Sequence, residues 1–283
     1  MIHHRLSFRK CSISVIEHDS LRPARGTLLF LHGRLSSSDI WSPLIQTFQK
    51  EFNCLLIEFP GFGRSFSVDD SFPTLLENAN FVVELIKSPD FSEKRPFFIV
   101  GHDAGATIGQ LLAVQGDHSG EPIARGMIFL NPLSLGEEIS RGSWAYFNFI
   151  LHFQIVKSLE AAVGVSAEEK QKILEVWNTR VSRKSLIRAI QALQESWPGP
   201  VERIYWKKAM EAIKTPVLLL AGMKDPFISV EHSFDLMRRI PESYFFINED
   251  CGHWPSVENP AWVISKMRDF LGRIVSQGYK KRA

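Results

Sequence analysis

The chain has 283 residues, 45% of them apolar, and 33 Lys plus Arg against 31 Asp plus Glu leave a net charge of +2. That length suits one large domain or a core carrying an inserted one. The charge balance excludes a strongly basic nucleic-acid surface and an acidic disordered chain. Charges interrupt every apolar run before the roughly 18 residues needed to span a bilayer. The opening Met1-Ile2-His3-His4-Arg5-Leu6 lacks an apolar signal-peptide core. Cys11, Cys54 and Cys251 show no CxxC spacing, so neither a disulfide framework nor a zinc site is expected, and a cytoplasmic protein is. The basic tail Tyr279-Lys280-Lys281-Arg282 reads as a solvated terminus.

In chain order, short apolar runs alternate with helical patterns. Thr27–Leu31 runs into His32-Gly33, and residues 39–50 follow with helical spacing. Cys54–Ile57 ends at Glu58-Phe59-Pro60-Gly61, before the helical 74–87. Pro96–Val100 meets Gly101 and then a helical 105–115. Met127–Leu130 ends at Asn131-Pro132. Val217–Leu220, helical 229–239, Tyr244–Ile247 and helical 258–275 complete the series. Continuous apolar runs ending at Gly, Pro or Asn are what buried parallel strands require. Their alternation with helices implies a mostly parallel sheet covered on both faces.

One stretch breaks the alternation. Residues 135–212 contain no strand pattern but are rich in helix formers and aromatics, among them Trp144, Tyr146, Phe147, Trp177, Trp197, Tyr205 and Trp206. The expected organisation is a core of 1–134 and 213–283 with a helical lid at 135–212. Inserted after a strand's C-terminal end, the lid would lie over the edge where open α/β sheets bind ligands.

Four segments carry chemistry. Gly101-His102-Asp103-Ala104-Gly105 follows a strand and opens a helix, with small residues around one functional side chain. That is the tight elbow which presents a nucleophile above a sheet. Asp225 follows a strand in Gly222-Met223-Lys224-Asp225-Pro226, and His253 follows the last strand in Cys251-Gly252-His253-Trp254. Nucleophile, acid and histidine thus occur in the chain order 103, 225, 253. His32-Gly33-Arg34 would bring the Arg34 N–H beside that of Ala104 as an oxyanion hole.

These motifs resemble the α/β-hydrolase superfamily, and the resemblance runs along essentially the whole chain. Pro60-Gly61-Phe62-Gly63-Arg64-Ser65 looks like that family's P-G-x-G-x-S turn. Gly101-His102-Asp103 is similar to the elbow of the aspartate-nucleophile subgroup of epoxide hydrolases and dehalogenases. The resemblance implies an α/β-hydrolase fold, Asp103 as nucleophile, His253 as base and Asp225 as the residue orienting it. The subgroup motifs are incomplete. Ala104 stands where haloalkane dehalogenases carry Trp and fluoroacetate dehalogenases Arg, and Arg34-Leu35 replaces the x-Pro of the epoxide hydrolases' His-Gly-x-Pro. Lid tyrosines protonate the opening epoxide in that subgroup, which makes Tyr146 and Tyr205 candidate substrate-binding residues, with His32 beside the oxyanion loop.

The aspartate has its own chemical consequence. A carboxylate with a pKa near about 4 is ionised at neutral pH and needs no base to attack. Attack on an ester would give an anhydride, whereas attack on a saturated carbon bearing a leaving group gives an ordinary ester. Epoxides and organohalides supply such carbons, and His253 would then activate water against the ester. Alternatives stay open: Asp103 as a helix N-cap, Glu249, Asp250, Glu137 or Glu138 as the acid, and His253 as a structural histidine. Arg34 could be solvated, pair with Asp103, or hold an acidic substrate group. A non-catalytic ligand-binding or receptor-like protein, and a cofactor-free lyase using His253, are the other functional readings. Gly61-Phe62-Gly63-Arg64-Ser65-Phe66 fails the dinucleotide fingerprint, and there is no phosphate loop or H-E-x-x-H helix. No cofactor or metal is expected. The expected partner is a small-molecule substrate, with no nucleic acid or membrane, in a monomer or homodimer.

Overall fold

A computed structural model describes residues 1–34, 36–137, 167, 171 and 183–276. Among them, nine strands form one sheet: β1 (Ile2–Phe8), β2 (Cys11–His18), β3 (Thr27–Leu31), β4 (Asn53–Glu58), β5 (Phe66–Ser67), β6 (Phe97–His102), β7 (Gly126–Leu130), β8 (Val217–Gly222) and β9 (Ser243–Asn248). The order across the sheet is β1-β2-β4-β3-β6-β7-β8-β9, with β5 on β2. From β4 to β9 every neighbouring pair is parallel, while β1–β2, β2–β4 and β2–β5 are antiparallel. This is an α/β-hydrolase fold.

The parallel strands are the apolar runs of the sequence. Leu28–Leu31, Phe97–Val100, Met127–Leu130 and Val217–Leu220 are all buried, because helices cover both faces. The helices Ser42–Phe48, Leu75–Lys87, Ala104–Ser119, Glu231–Arg239 and Pro260–Ser276 fall within a few residues of their expected ranges. Leu75–Lys87 starts at a capping box between Thr74 and Glu77.

The antiparallel edge was absent from the sequence expectation. β1 is half exposed and carries no apolar run, and β2 includes the polar Ser12, Ser14, Glu17 and His18. Glu17 is buried there because His4 and Lys94 reach its carboxylate. Partners distant in sequence, invisible to periodicity, make that strand acceptable.

Of the expected lid, the described part is two helices, Arg183–Glu195 and Pro200–Glu211, lying between β7 and β8 in sequence. Ala189 packs so closely on the turn after β4 that a Cβ on Gly61 would lie 2.3 Å from it. Tyr146 and Glu138 lie outside the described residues. The parallel topology sends His32-Gly33, Asp103, Asn131, Asp225 and His253 to one edge of the sheet, following β3, β6, β7, β8 and β9 in turn.

Candidate active site

Asp103 is the single residue between β6 and the helix Ala104–Ser119, at φ +50° and ψ −118°. A positive φ is unfavourable for a side chain with a Cβ and persists only where the surroundings impose it. Here they do. A Cβ on Gly105 would lie 2.1 Å from the Leu31 carbonyl oxygen, and one on Gly33 would lie 2.6 Å from Cβ of Asp103. Only glycine lets strand, helix and the loop after β3 converge this tightly.

The carboxylate makes no capping bond to its helix, which removes the N-cap reading. It turns instead to the loop after β3. Oδ2 accepts from the Arg34 backbone N–H at 2.7 Å and from Nε at 2.9 Å. Oδ1 accepts from Nη2 at 2.6 Å and from Nε at 3.1 Å. The side chains of Arg34 and Asp103 are 7% and 1% exposed. Arg34 is therefore not the solvated residue that sequence allowed, and pairing with Asp103 is the option realised. Burial alone would raise the Asp103 pKa, but the guanidinium outweighs it, and the carboxyl is held well below the usual range.

Facing this pair is a second ionisable unit. Nδ1 of His253 donates to Oδ2 of Asp225 at 2.8 Å. A carboxylate can only accept, so the neutral ring keeps its lone pair on Nε2. Burial disfavours the imidazolium, yet Asp225 more than compensates and raises the His253 pKa. Asp225 is fixed on its other side too, where Oδ1 accepts from the N–H groups of Phe227 and Ile228 at 2.7 and 3.0 Å. The rival acids stand elsewhere: Asp250 pairs with Lys224 at the surface and Glu137 with Lys207.

Asn131 is a positioning residue that sequence reasoning missed. At φ +41° after β7, its Nδ2 donates to Asp225 Oδ2 at 2.7 Å and to the carbonyls of Gly252 and His253 at 2.8 and 3.1 Å. Its Oδ1 accepts from Gly222 N–H at 2.7 Å. One side chain thus ties β7, β8 and the histidine loop together. The available signal was an Asn-Pro stop at the functional edge of the sheet. Glu258 holds the same loop by accepting from the N–H groups of Gly252 and Trp254.

The other expected residues divide. His32 is buried with both nitrogens engaged: Nδ1 donates to the Gly33 carbonyl and Nε2 accepts from Phe59 N–H at 3.0 Å. It braces the loop after β3, and neither ring nitrogen is left for a substrate. Ala104 heads the helix after the elbow and lines a cleft with Arg34, Leu75, Leu133, Leu193, Gln194 and Trp197. Tyr205 is 71% exposed, so the expected substrate-facing hydroxyl is not found at that position. His102 donates from Nε2 to the His253 carbonyl at 2.7 Å, and its ring packs edge-on against that of His253. Burial and the neighbouring His253 push its pKa down to about 3, so it stays neutral.

Known proteins place this arrangement in a family. The chain is 21% identical over 254 residues to 2-hydroxy-6-oxo-6-(2'-aminophenyl)hexa-2,4-dienoic acid hydrolase of Metapseudomonas resinovorans, covering 87% of this chain and 84% of the relative. It is 22% identical over 253 residues to pimeloyl-[acyl-carrier protein] methyl ester esterase of Legionella pneumophila, covering 86% and 94%. The crystal structure of esterase RhEst1 from Rhodococcus sp. superposes with a TM-score of 0.77 at 17% identity, covering 97% of this chain and all of that one. Residues 28–266 match the family described as "Alpha/beta hydrolase family". With its elbow, its histidine–aspartate pair and this match over most of its length, the chain belongs to the alpha/beta hydrolase family.

Proposed function

We propose that this chain is a hydrolase working through a covalent ester on Asp103, on substrates whose saturated carbon carries a leaving group, an epoxide or an organohalide. The observation carrying this reading is the placement of one Asp103 oxygen, Oδ2, on the Arg34 N–H at 2.7 Å, at the same sheet edge as the His253–Asp225 pair. That oxygen is positioned to become the carbonyl oxygen of an ester, already resting on an oxyanion donor.

In the first step Oδ1 forms a bond to the substrate carbon, and the carbon–halogen or carbon–oxygen bond breaks with its electron pair. In the second, Nε2 of His253 takes a proton from water. The hydroxide adds to the Asp103 carboxyl carbon, and negative charge gathers on Oδ2 against the Arg34 N–H. Collapse releases the alcohol with a proton from His253, and Asp103 ionises again. Asp225 holds the imidazolium throughout. This second step is itself an ester hydrolysis, the kind of reaction named for the esterase relatives. An epoxide also needs a proton on its opening oxygen. Tyr205 faces solvent, which leaves Tyr146 for that role. The guanidinium over Asp103 favours a second reading, in which His253 acts on a bound substrate without a covalent step.

The test is the intact mass of His253→Gln after exposure to separate panels of epoxides and haloalkanes, each with neutral and carboxylate-bearing members. This variant forms the ester and cannot hydrolyse it. An adduct mapping to Asp103 is expected. A folded variant with no adduct from either panel overturns the covalent reading.

A further inference from the structure

Building on the covalent reading, we propose that Arg34 is a specificity residue and that its pair with Asp103 is a latch opened by the substrate: the true substrate carries a compact carboxylate beside its reacting carbon, and that carboxylate takes the place of Asp103 on the guanidinium. The argument begins with the occupancy of the nucleophile. Oδ1, the oxygen not held by the backbone, is covered by Nη2 at 2.6 Å and Nε at 3.1 Å. Attack requires an open lone pair on that oxygen, directed at the carbon, so the guanidinium must shift before chemistry begins.

A neutral substrate cannot make that shift cheaply. Both side chains are buried, and separating them would break a bidentate ion pair where water is largely excluded. An anionic substrate provides an exchange. The guanidinium presents a planar fork that accepts a carboxylate bidentately, so it can release one carboxylate while gripping another. The chemistry of the cleft's lining matches such a ligand. Its lining is Leu75, Ala104, Leu133, Leu193, Gln194 and Trp197 together with Arg34, the one charged residue among the described lining residues. An apolar body with a single carboxylate matches that surface, because the anion has one place to go.

The exchange leaves the Arg34 backbone undisturbed. Its N–H remains on Oδ2 as the oxyanion donor, while the side chain of the same residue moves to the substrate. Residue 34 would therefore perform two functions with two separate groups, and a substrate lacking the carboxylate would meet a closed nucleophile. The arrangement also covers the ionised nucleophile against adventitious alkylation in the absence of substrate.

Two measurements test the latch and are independent of each other. In the first, butyrate binding is measured by calorimetry for the wild type and for Asp103→Asn, with butyramide as the neutral control. Asp103→Asn removes the internal competitor and keeps the shape, so its butyrate affinity should rise at least tenfold while butyramide is unaffected. Unchanged butyrate affinity overturns the latch. Should Asp103→Asn fail to fold, wild type is compared with Arg34→Lys, which keeps the charge and loses the fork. A fivefold or greater loss of butyrate affinity is then expected, and no loss overturns the latch. In the second measurement, His253→Gln is exposed to 2-bromobutyrate and to 2-bromobutyramide, and to glycidate and glycidamide. The acids should label Asp103 at least tenfold faster than their amides. Equal or faster labelling by the amides overturns the latch and leaves the covalent reading intact. Labelling by no probe overturns the covalent reading, and the butyrate measurement then decides the latch on its own.

Discussion

Two aspartates end two strands of the same sheet, both with side chains 1% exposed, and they are held in opposite ways. Asp225 is held from several directions, by two backbone N–H donors, the Asn131 amide and His253. Asp103 is held by one backbone N–H and by the long side chain of a cation. The first arrangement suits a group whose duty is to stay ionised and still. The second suits one that must be kept charged and then released. A buried carboxylate is thus not one kind of object; what it does follows from whether its partners can depart.

The sharpest way to break this comparison is to remove the fixed member. Asp225→Ala should lower turnover of any substrate that labels Asp103 by about three orders of magnitude or more, as expected when a catalytic histidine loses its orienting carboxylate. Steady-state kinetics checks this, and a loss below tenfold would mean that His253 is not the base.

Next comes the stability of the movable pair. Asp103→Ala leaves the Arg34 guanidinium buried without its carboxylate and should cost about 3–5 kcal/mol in urea denaturation. Pairing Asp103→Leu with Arg34→Met should recover most of that loss, because neither charge remains. The Asp103 carboxyl is held below its ordinary value. Its contribution is therefore full above about pH 4 and declines as pH falls below it. Acid denaturation of Asp103→Asn should lack that part of the decline.

Asn131→Ala should act more gently on both sides. It removes one donor from Asp225 and two from the histidine loop. A stability cost of about 1–3 kcal/mol is expected. On the proposed mechanism, turnover should fall through kcat rather than KM, since Asn131 holds Asp225 and the His253 loop and is not among the residues lining the cleft.

The smallest effect is in pH. Asp225 raises the His253 pKa, and the protonated ring cannot act as a base. The acidic limb of the rate profile should lie above the ordinary histidine value of about 6.5. Replacing Asp225 by Asn should move the limb to lower pH in whatever activity remains.

Much of this was legible in the sequence, for identifiable reasons. The parallel strands are buried on both faces, so each appears as an unbroken apolar run, and their order fixed the positions of Asp103, Asp225 and His253. The β1–β2 edge was not legible because its polar residues are satisfied by partners far along the chain, as Glu17 is by Lys94. Asn131 was hidden for a related reason: its value lies in spanning to residues 94 and 122 positions away. Arg34 was visible as a residue, but whether it faced solvent or Asp103 depends on a loop packed against Gly33, which spacing does not encode. Tyr205 shows the converse, since helical patterning placed it in the insertion without indicating which way its face of the helix would turn.

The strain at Asp103 has a consequence for how such a protein changes over time. Its left-handed backbone is imposed by close approaches at Gly33 and Gly105, and nothing in that backbone requires an aspartate. The scaffold is indifferent to what it displays. A serine installed there would inherit the posture, the nearby His253–Asp225 pair and the Arg34 N–H, but Arg34 would lose the Asp103 carboxylate. Exchanging one reaction for another at this elbow is thus a two-residue problem, in which the neighbouring cation must be retired or given a new anion before the new nucleophile can be used.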